Sequence, residues 1–105
     1  MITKTTTAEL KLKDGTIYPV GTVFELRWDK ERYGTTFATT AGREVKLGTA
    51  RLHKYFNVSK PPTIKTLEKW EFDSGTCKTV LGKKTEPDGT DEYGSPSWML
   101  VMGVI

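Results

Sequence analysis

Cysteine and histidine are scarce in this 105-residue chain, which contains one of each, Cys77 and His53. A lone cysteine excludes an internal disulfide and is typical of a reducing compartment. One histidine and one cysteine are too few for a tetrahedral zinc site of the usual kind. Because no serine lies in a nucleophile-elbow motif, His53 has no evident nucleophile to activate. We therefore expect no catalytic site, no bound metal and no cofactor.

Long apolar runs are also missing. No stretch approaches the roughly 20 residues that a membrane-spanning helix needs, and the threonine-rich N-terminus lacks the apolar core of a signal peptide. The hydrophobic content of 36% is nevertheless enough for a packed core, and a chain of this length has room for one. We expect a single cytoplasmic folding unit without a membrane partner.

The first half of the chain shows the alternation of apolar and polar residues that is typical of strands with one face in water. Asp14-Gly15 and Ala41-Gly42 are typical of tight turns, the first of a two-residue hairpin. Short strands joined in this way predict a small antiparallel SH3-like β-barrel over residues 1–58, since closure removes exposed edges. The predicted strands are 9–13, 16–20, 22–28, 35–40 and 43–47.

After the stiff connector Ser59-Lys60-Pro61-Pro62, the spacing of the apolar residues changes. Apolar residues recur every three positions and Gly75 stands where a helix C-cap belongs, which predicts a helix over 63–73. Residues 76–81 and 83–85 are predicted to form a small hairpin. Ser95 as N-cap and Pro96 as first helical residue favour a terminal apolar helix, with a buried strand as the alternative. The fold class is therefore α+β, with residues 59–105 forming a helix–hairpin–helix lobe packed on the barrel half.

The net charge of +3 is unevenly distributed. Residues 1–58 carry ten Lys and Arg against six Asp and Glu, whereas residues 59–105 carry six against seven. An anion-binding face is therefore expected in the first half, with tyrosines available for stacking on bases. The alternative is an ordinary solubilising surface, since glutamates are interleaved. The predicted nucleic-acid contacts are Lys11, Lys13, Arg27, Arg43, Lys46, Arg51 and Lys54, helped by Lys78, Lys83 and Lys84.

An acidic loop and an apolar tail suggest a different kind of partner. The acidic residues between 86 and 92 do not follow the oxygen spacing of an EF-hand, so calcium is not expected. We keep as an alternative hypothesis a protein-binding inhibitor or modulator of a host factor, of the anti-defence type. Surplus apolar surface in the C-terminal segment would allow a homodimer. The predicted partner-binding residues are Asp88, Asp91, Glu92, Tyr93 and Trp98.

Two local resemblances add to these hypotheses. Thr66-Leu67-Glu68-Lys69-Trp70, followed by Gly75 and a basic hairpin, resembles the helix-turn and wing of excisionase and MerR-type winged helices, over residues 63–85. The charges of the 63–73 helix oppose its entry into a DNA groove, because acidic residues outnumber its two lysines.

The second resemblance lies in the C-terminal part of the chain. Leu67-Glu68-Lys69-Trp70, Glu86-Pro87-Asp88-Gly89 and the segment from Gly94-Ser95-Pro96-Ser97-Trp98 to Gly103 resemble a group of small, uncharacterised bacteriophage proteins. That resemblance implies a phage source and the cytoplasm of the host cell, but no activity. The preferred hypothesis is a phage-derived, non-catalytic nucleic-acid-binding accessory or regulatory protein. A structural component of the virion stays open as a third possibility.

Overall fold

An antiparallel sheet of four strands forms the larger part of the structure, a computed structural model that describes residues 2–72 and 76–104. Within these ranges, two short hairpins and three short helical segments complete a small α+β fold. In chain order the elements are β1 (Ile2–Thr5), β2 (Leu10–Lys11), β3 (Ile17–Tyr18), β4 (Val23–Trp28), β5 (Thr35–Thr40), β6 (Arg43–Gly48), a 3-10 helix (Thr49–Lys54), α1 (Ile64–Phe72), β7 (Cys77–Lys78), β8 (Lys84–Thr85) and α2 (Trp98–Val101).

The main sheet has the strand order β1-β4-β5-β6. Strand β4 lies inside it and alternates strictly between the core and the solvent. Its apolar side chains Phe24, Leu26 and Trp28 are buried, because successive side chains of a strand point to opposite faces. The strands predicted over 22–28, 35–40 and 43–47 are confirmed, with shifts of one residue at most.

Strand β1 was not predicted, because its residues show no clear apolar face. It pairs antiparallel with β4, and Ile2 lies opposite Leu26. Ile2 packs against the core, whereas Thr3 and Thr5 are exposed. The neighbouring strand, rather than the local sequence pattern, therefore makes this segment a strand.

The first hairpin is shorter than predicted, and its turn is different. Strands β2 and β3 contribute two residues each, in place of the predicted 9–13 and 16–20. The N–H of Leu12 donates to the carbonyl of Thr16 over 2.8 Å, so three residues form the loop. Gly15 adopts a φ of +92°, as the last residue of such a loop requires. The predicted two-residue turn at Asp14-Gly15 is therefore wrong.

The described strands do not close into a barrel, so the SH3-like barrel is not confirmed. The end of β1 nevertheless meets the segment that follows the 3-10 helix. Thr6 forms an antiparallel bridge with Phe56, and the N–H of Thr7 donates to the carbonyl of Tyr55 over 2.7 Å.

The largest core cluster contains residues from both halves of the chain. Phe24, Leu26 and Leu52 come from the first half, and Val80 and Trp98 come from the second. All five are buried, with at most 2% of each residue exposed. Burial of this apolar surface is what attaches the sheet to the C-terminal segment.

Helix α1 confirms the helix predicted over 63–73, with observed bounds Ile64–Phe72. The hydroxyl of Thr63 accepts a hydrogen bond from the N–H of Thr66 over 3.3 Å, which caps the first turn. The predicted C-cap Gly75 lies outside the described residues. The hairpin predicted at 76–85 is confirmed in a shorter form, as β7 and β8.

Helix α2 confirms the terminal helix as a single turn, but the predicted cap is wrong. Ser97, not Ser95, is the N-cap, and its hydroxyl accepts a hydrogen bond from the N–H of Leu100 over 3.1 Å. The preceding backbone is already engaged, because Pro96 bridges Thr90 and accepts a hydrogen bond from the N–H of Val80. The helix therefore begins two residues later than the Ser-Pro pattern predicts.

Candidate functional site

Three of the predicted nucleic-acid-binding residues form ion pairs with carboxylates. Arg27 lies 3.3 Å from Glu44, Lys83 lies 2.7 Å from Glu92, and Arg43 contacts Asp14. The Glu92 carboxylate raises the pKa of Lys83, and the Asp14 carboxylate raises that of Arg43. All three pairs are exposed, so they contribute little to stability, yet each carboxylate offsets a charge that a phosphate would otherwise meet.

A short cationic row crosses the outer face of the sheet around Phe37. The guanidinium carbon of Arg27 lies 4.5 Å from the centre of the Phe37 ring, and the ammonium nitrogen of Lys46 lies 6.0 Å from it. The strand register places the three residues side by side. The next row on the same face carries Glu25 and Glu44, so the face is not uniformly basic.

The other predicted cations of the first half are exposed but lie on separate elements. Lys11 and Lys13 belong to the β2–β3 hairpin and its loop, whereas Arg51 and Lys54 belong to the 3-10 helix. His53 also lies in this 3-10 helix, with its Nδ1 atom 3.1 Å from the carbonyl oxygen of Ala50.

Asp91 connects the acidic loop to the rest of the structure by hydrogen bonds. The carboxylate of this residue accepts hydrogen bonds from the Thr79 hydroxyl over 2.8 Å and from the N–H groups of Tyr93 and Ser95 over 2.9 and 3.0 Å. The ammonium group of Lys83 lies 5.1 Å from the centre of the Tyr93 ring. Asp88 is exposed in the preceding turn. Asp91 therefore has an internal role, whereas Asp88 faces the solvent.

Trp98, a predicted partner-binding residue, is only 2% exposed and so offers a partner little surface. Its indole N–H donates to the hydroxyl of the partly buried Ser59 over 2.8 Å. Met99 is buried as well, and within the described part of the tail, up to residue 104, the exposed apolar residues are Met102 and Val104. A homodimer through this segment stays a prediction that depends on these two side chains.

A groove between α1 and the β7–β8 hairpin gathers lysines that the sequence analysis did not group. Its first compartment, of about 400 Å³, is lined by Lys60, Lys69, Lys78 and Trp70 together with Ser59, Pro62, Thr66 and Trp98. Its second compartment, of about 210 Å³, is lined by Lys69, Trp70, Thr76, Cys77, Lys78 and Lys84. We refer to Lys60, Lys69, Lys78, Lys84 and Trp70 as the lysine groove.

No Asp or Glu appears among the described residues that line the lysine groove. Its four lysines come from the connector, α1, β7 and β8, and these are four of the six lysines in residues 59–105. The second half is thus close to neutral in total but strongly basic on one surface. A groove of this kind attracts anions, because like charges within a concave surface focus the electrostatic potential.

Packing beneath α1 positions the groove. Leu67 is buried in a small cluster with Cys77 and Met99, and Trp70 packs against both this cluster and the main core. Burial raises the pKa of the Cys77 thiol, which disfavours the reactive thiolate. Helix α1 is thereby held against β7 and α2, with Trp70 at its groove-facing side.

A larger cavity of about 540 Å³ lies between the end of β4 and the acidic loop. Its walls carry two cations, Arg27 and Lys30, and the carboxylate of Glu92. The buried indole N–H of Trp28, which also lines it, has no hydrogen-bond partner among the described residues. The mixed charge makes this cavity less suited to a polyanion than the lysine groove.

The described residues contain no group of three or more His, Cys, Asp or Glu arranged to hold a metal ion. None of the helices in the described ranges is long and apolar enough to cross a membrane. No protein-family model matches the chain, and neither a curated protein nor a solved structure matches it.

Proposed function

We propose that the chain is a non-catalytic protein that binds nucleic acid through the lysine groove. The observation that carries this proposal is the convergence of four lysines, from four different segments, on one indole. Each lysine that neutralises a phosphate releases a condensed counterion, which drives association. Aromatic rings interleaved with cations are the usual means of holding nucleic-acid bases and backbone together.

The proposal moves the interface away from the surface expected from the charge distribution. Among the predicted contacts, Lys78 and Lys84 line the groove, whereas Lys83 is paired with Glu92. The cations of the first half, including the Arg27–Phe37–Lys46 row, provide a second basic surface and raise the overall potential. A phage source and a location in the host cytoplasm remain part of this proposal.

An SH3-like barrel for the first half is part of the same proposal. It is supported by the antiparallel pairing of β1 with β4, by the 3-10 helix directly after β6, and by the bridge between Thr6 and Phe56. With this bridge, the chain after the 3-10 helix returns to the end of β1. A contact of this kind is one way in which a small sheet covers the exposed edge of a strand.

Fluorescence anisotropy with labelled oligonucleotides tests the binding function. We expect binding at about 50 mM salt, with a logarithmic salt slope of about −3 to −4 if all four groove lysines contact phosphates. The triple variant K60A/K69A/K78A should lose most of the affinity and reduce the slope. The matched control K11A/K13A/K54A removes the same charge from the first half and should retain most of the affinity.

Two results would oppose the proposal. Absence of binding to single-stranded DNA, duplex DNA and RNA at low salt would exclude it. Equal losses in the two triple variants would show that net charge alone attracts the nucleic acid, without a dedicated groove.

The 540 Å³ cavity favours the second candidate function, a protein-binding inhibitor or modulator of a host factor. Glu92 and Tyr93, both predicted partner-binding residues, line this cavity together with Tyr33. This function predicts that the wild-type protein captures a partner from a nuclease-treated host lysate. The variant Y33A/Y93A should fail to capture this partner, whereas K69A/K78A should still capture it. Recovery of the same partner by both variants would oppose a role for this cavity.

A further inference from the structure

We infer that the lysine groove accepts a single nucleic-acid strand, with one base stacked on the Trp70 indole and phosphates held on both sides of it. This inference rests on the proposed nucleic-acid-binding function and specifies its ligand. It follows from the position of Trp70, from the distribution of lysines around it, and from the charges on the outside of α1.

Trp70 is built as a rigid stacking surface. It is half-buried, and it packs against both core clusters while lining both compartments of the groove. A ring fixed on one side by the core loses little further freedom when a base covers its other side. Every base offers a flat π-face, so such a surface binds single strands with little sequence preference.

The lysines are distributed over both compartments that the Trp70 indole lines. Lys60 lines only the first compartment and Lys84 only the second, whereas Lys69 and Lys78 line both. A strand that crosses Trp70 therefore meets a cation before the stacked base, beside it and after it. This arrangement follows a backbone across the ring, as a groove for a single strand requires.

The outside of α1 is unsuited to a duplex. The exposed surface of α1 carries Glu68 and Glu71, and Lys65 precedes Glu68 by about one helical turn. Each carboxylate opposes the neutralisation of phosphates. The first groove compartment, at about 400 Å³, has the volume of a small-ligand site, and the second, at about 210 Å³, is smaller. In a duplex, moreover, the base faces are covered by their neighbours, and exposing one costs unstacking energy.

Competition between strand forms, with the full chain, tests the inference. A labelled oligothymidylate of about 20 nucleotides should bind at least about tenfold more tightly than a duplex of the same length at the same low salt. Binding should quench tryptophan fluorescence. W70A should weaken single-strand binding by about tenfold, which is in the range of one lost base stack, whereas W70F should retain most of the affinity.

The salt dependence separates stacking from charge. W70A should leave the logarithmic salt slope unchanged, because the indole contacts no phosphate, whereas K78A should make the slope smaller by about one. Since Trp70 also packs on the core, thermal unfolding of W70A and W70F must show that both variants are folded. If W70A is unfolded at the assay temperature, the single-strand affinities and salt slopes of wild type, W70F and K78A are compared instead, and these values decide whether the inference holds.

The inference and the proposed function fail in different ways. Equal or tighter binding of the duplex, or an unchanged single-strand affinity in folded W70A, would overturn the single-strand inference and leave nucleic-acid binding intact. Competition by inorganic polyphosphate as strong as that by the oligonucleotide would also overturn it, since polyphosphate has no base to stack. Absence of binding to either strand form would overturn the proposed function itself.

Discussion

The indole N–H of Trp98 donates a hydrogen bond to the hydroxyl oxygen of Ser59 over 2.8 Å, across 39 positions of sequence. The Ser59 hydroxyl in turn donates to the carbonyl of Val80 over 2.7 Å. One serine side chain thus joins the connector to the loop that follows β7 and to α2. Because Ser59 and Trp98 both line the first groove compartment, this contact also holds one wall of the lysine groove.

Replacing Ser59 with alanine should lower the free energy of unfolding by about 1 to 3 kcal/mol. The change leaves the buried Trp98 N–H without its acceptor, and an unsatisfied buried donor carries a cost of this size. Urea denaturation followed by tryptophan fluorescence measures the loss. Full stability in S59A would show that water replaces the serine hydroxyl.

Ser95 offers the matched control for this substitution. Its hydroxyl is fully buried and has no hydrogen-bond partner among the described residues. S95A should therefore change the free energy of unfolding by less than about 0.5 kcal/mol or increase it, because a buried polar group without a partner is removed. A loss as large as that of S59A would indicate a partner for this hydroxyl.

The sequence predicts elements that depend on local periodicity and misses those that depend on a neighbour. Strands β4 and β6 and helix α1 follow from the spacing of their apolar residues, and β5 follows from its β-branched threonines. Strand β1 depends on pairing with β4, and the 3-10 helix Thr49–Lys54 follows directly after β6 without a break in composition. The start of α2 also depends on tertiary contacts, since bridges engage the residues before Ser97.

The lysine groove could not be predicted from charge counts along the chain. Consecutive lysines of the groove are nine, nine and six positions apart in sequence, and acidic residues lie in the first two of these intervals. The net charge summed over residues 59–105 is therefore close to zero. Only the packing of Leu67 on Cys77 and Met99 brings α1 beside the hairpin and separates the lysines from the carboxylates in space.

Asp91 should contribute to stability rather than to partner binding. D91A removes three hydrogen bonds to one carboxylate, which should lower the free energy of unfolding by about 2 to 4 kcal/mol. The control D88A changes an exposed residue and should have little effect. Thermal unfolding of both variants measures the difference. Similar melting temperatures for D91A and the wild type would contradict a structural role for the carboxylate.

The Asp14 carboxyl should become protonated at a lower pH than an ordinary aspartate carboxyl. The backbone N–H of Thr16 and the guanidinium of Arg43 lower the pKa of Asp14 from 3.8 to about 2. Because the folded-state pKa is depressed, the stabilisation is present above the unfolded value and is lost as the pH falls from about 4 to about 2. An NMR titration of the Asp14 carboxyl carbon should have its midpoint near 2.

The variant R43Q distinguishes the contribution of Arg43 to the Asp14 pKa from that of the Thr16 N–H. R43Q should raise the pKa of Asp14 only partly, since the Thr16 N–H still donates over 2.9 Å. R32Q removes an equal charge that is not among the causes of the Asp14 shift and should leave the midpoint in place. A return of the Asp14 pKa to its ordinary value in R43Q would assign the whole effect to the ion pair.

The neighbouring residues Lys83 and Lys84 should differ in their contributions to binding, although they carry the same charge. Lys84 lines the second groove compartment, whereas Lys83 is paired with Glu92 at 2.7 Å. K84A should weaken oligonucleotide binding and make the logarithmic salt slope smaller by about one, because one phosphate contact is lost. K83A should leave the slope unchanged and cost little stability, as expected for an exposed ion pair. Anisotropy titrations at several salt concentrations measure both slopes, and equal effects of the two variants would contradict the assignment of Lys84 to the groove.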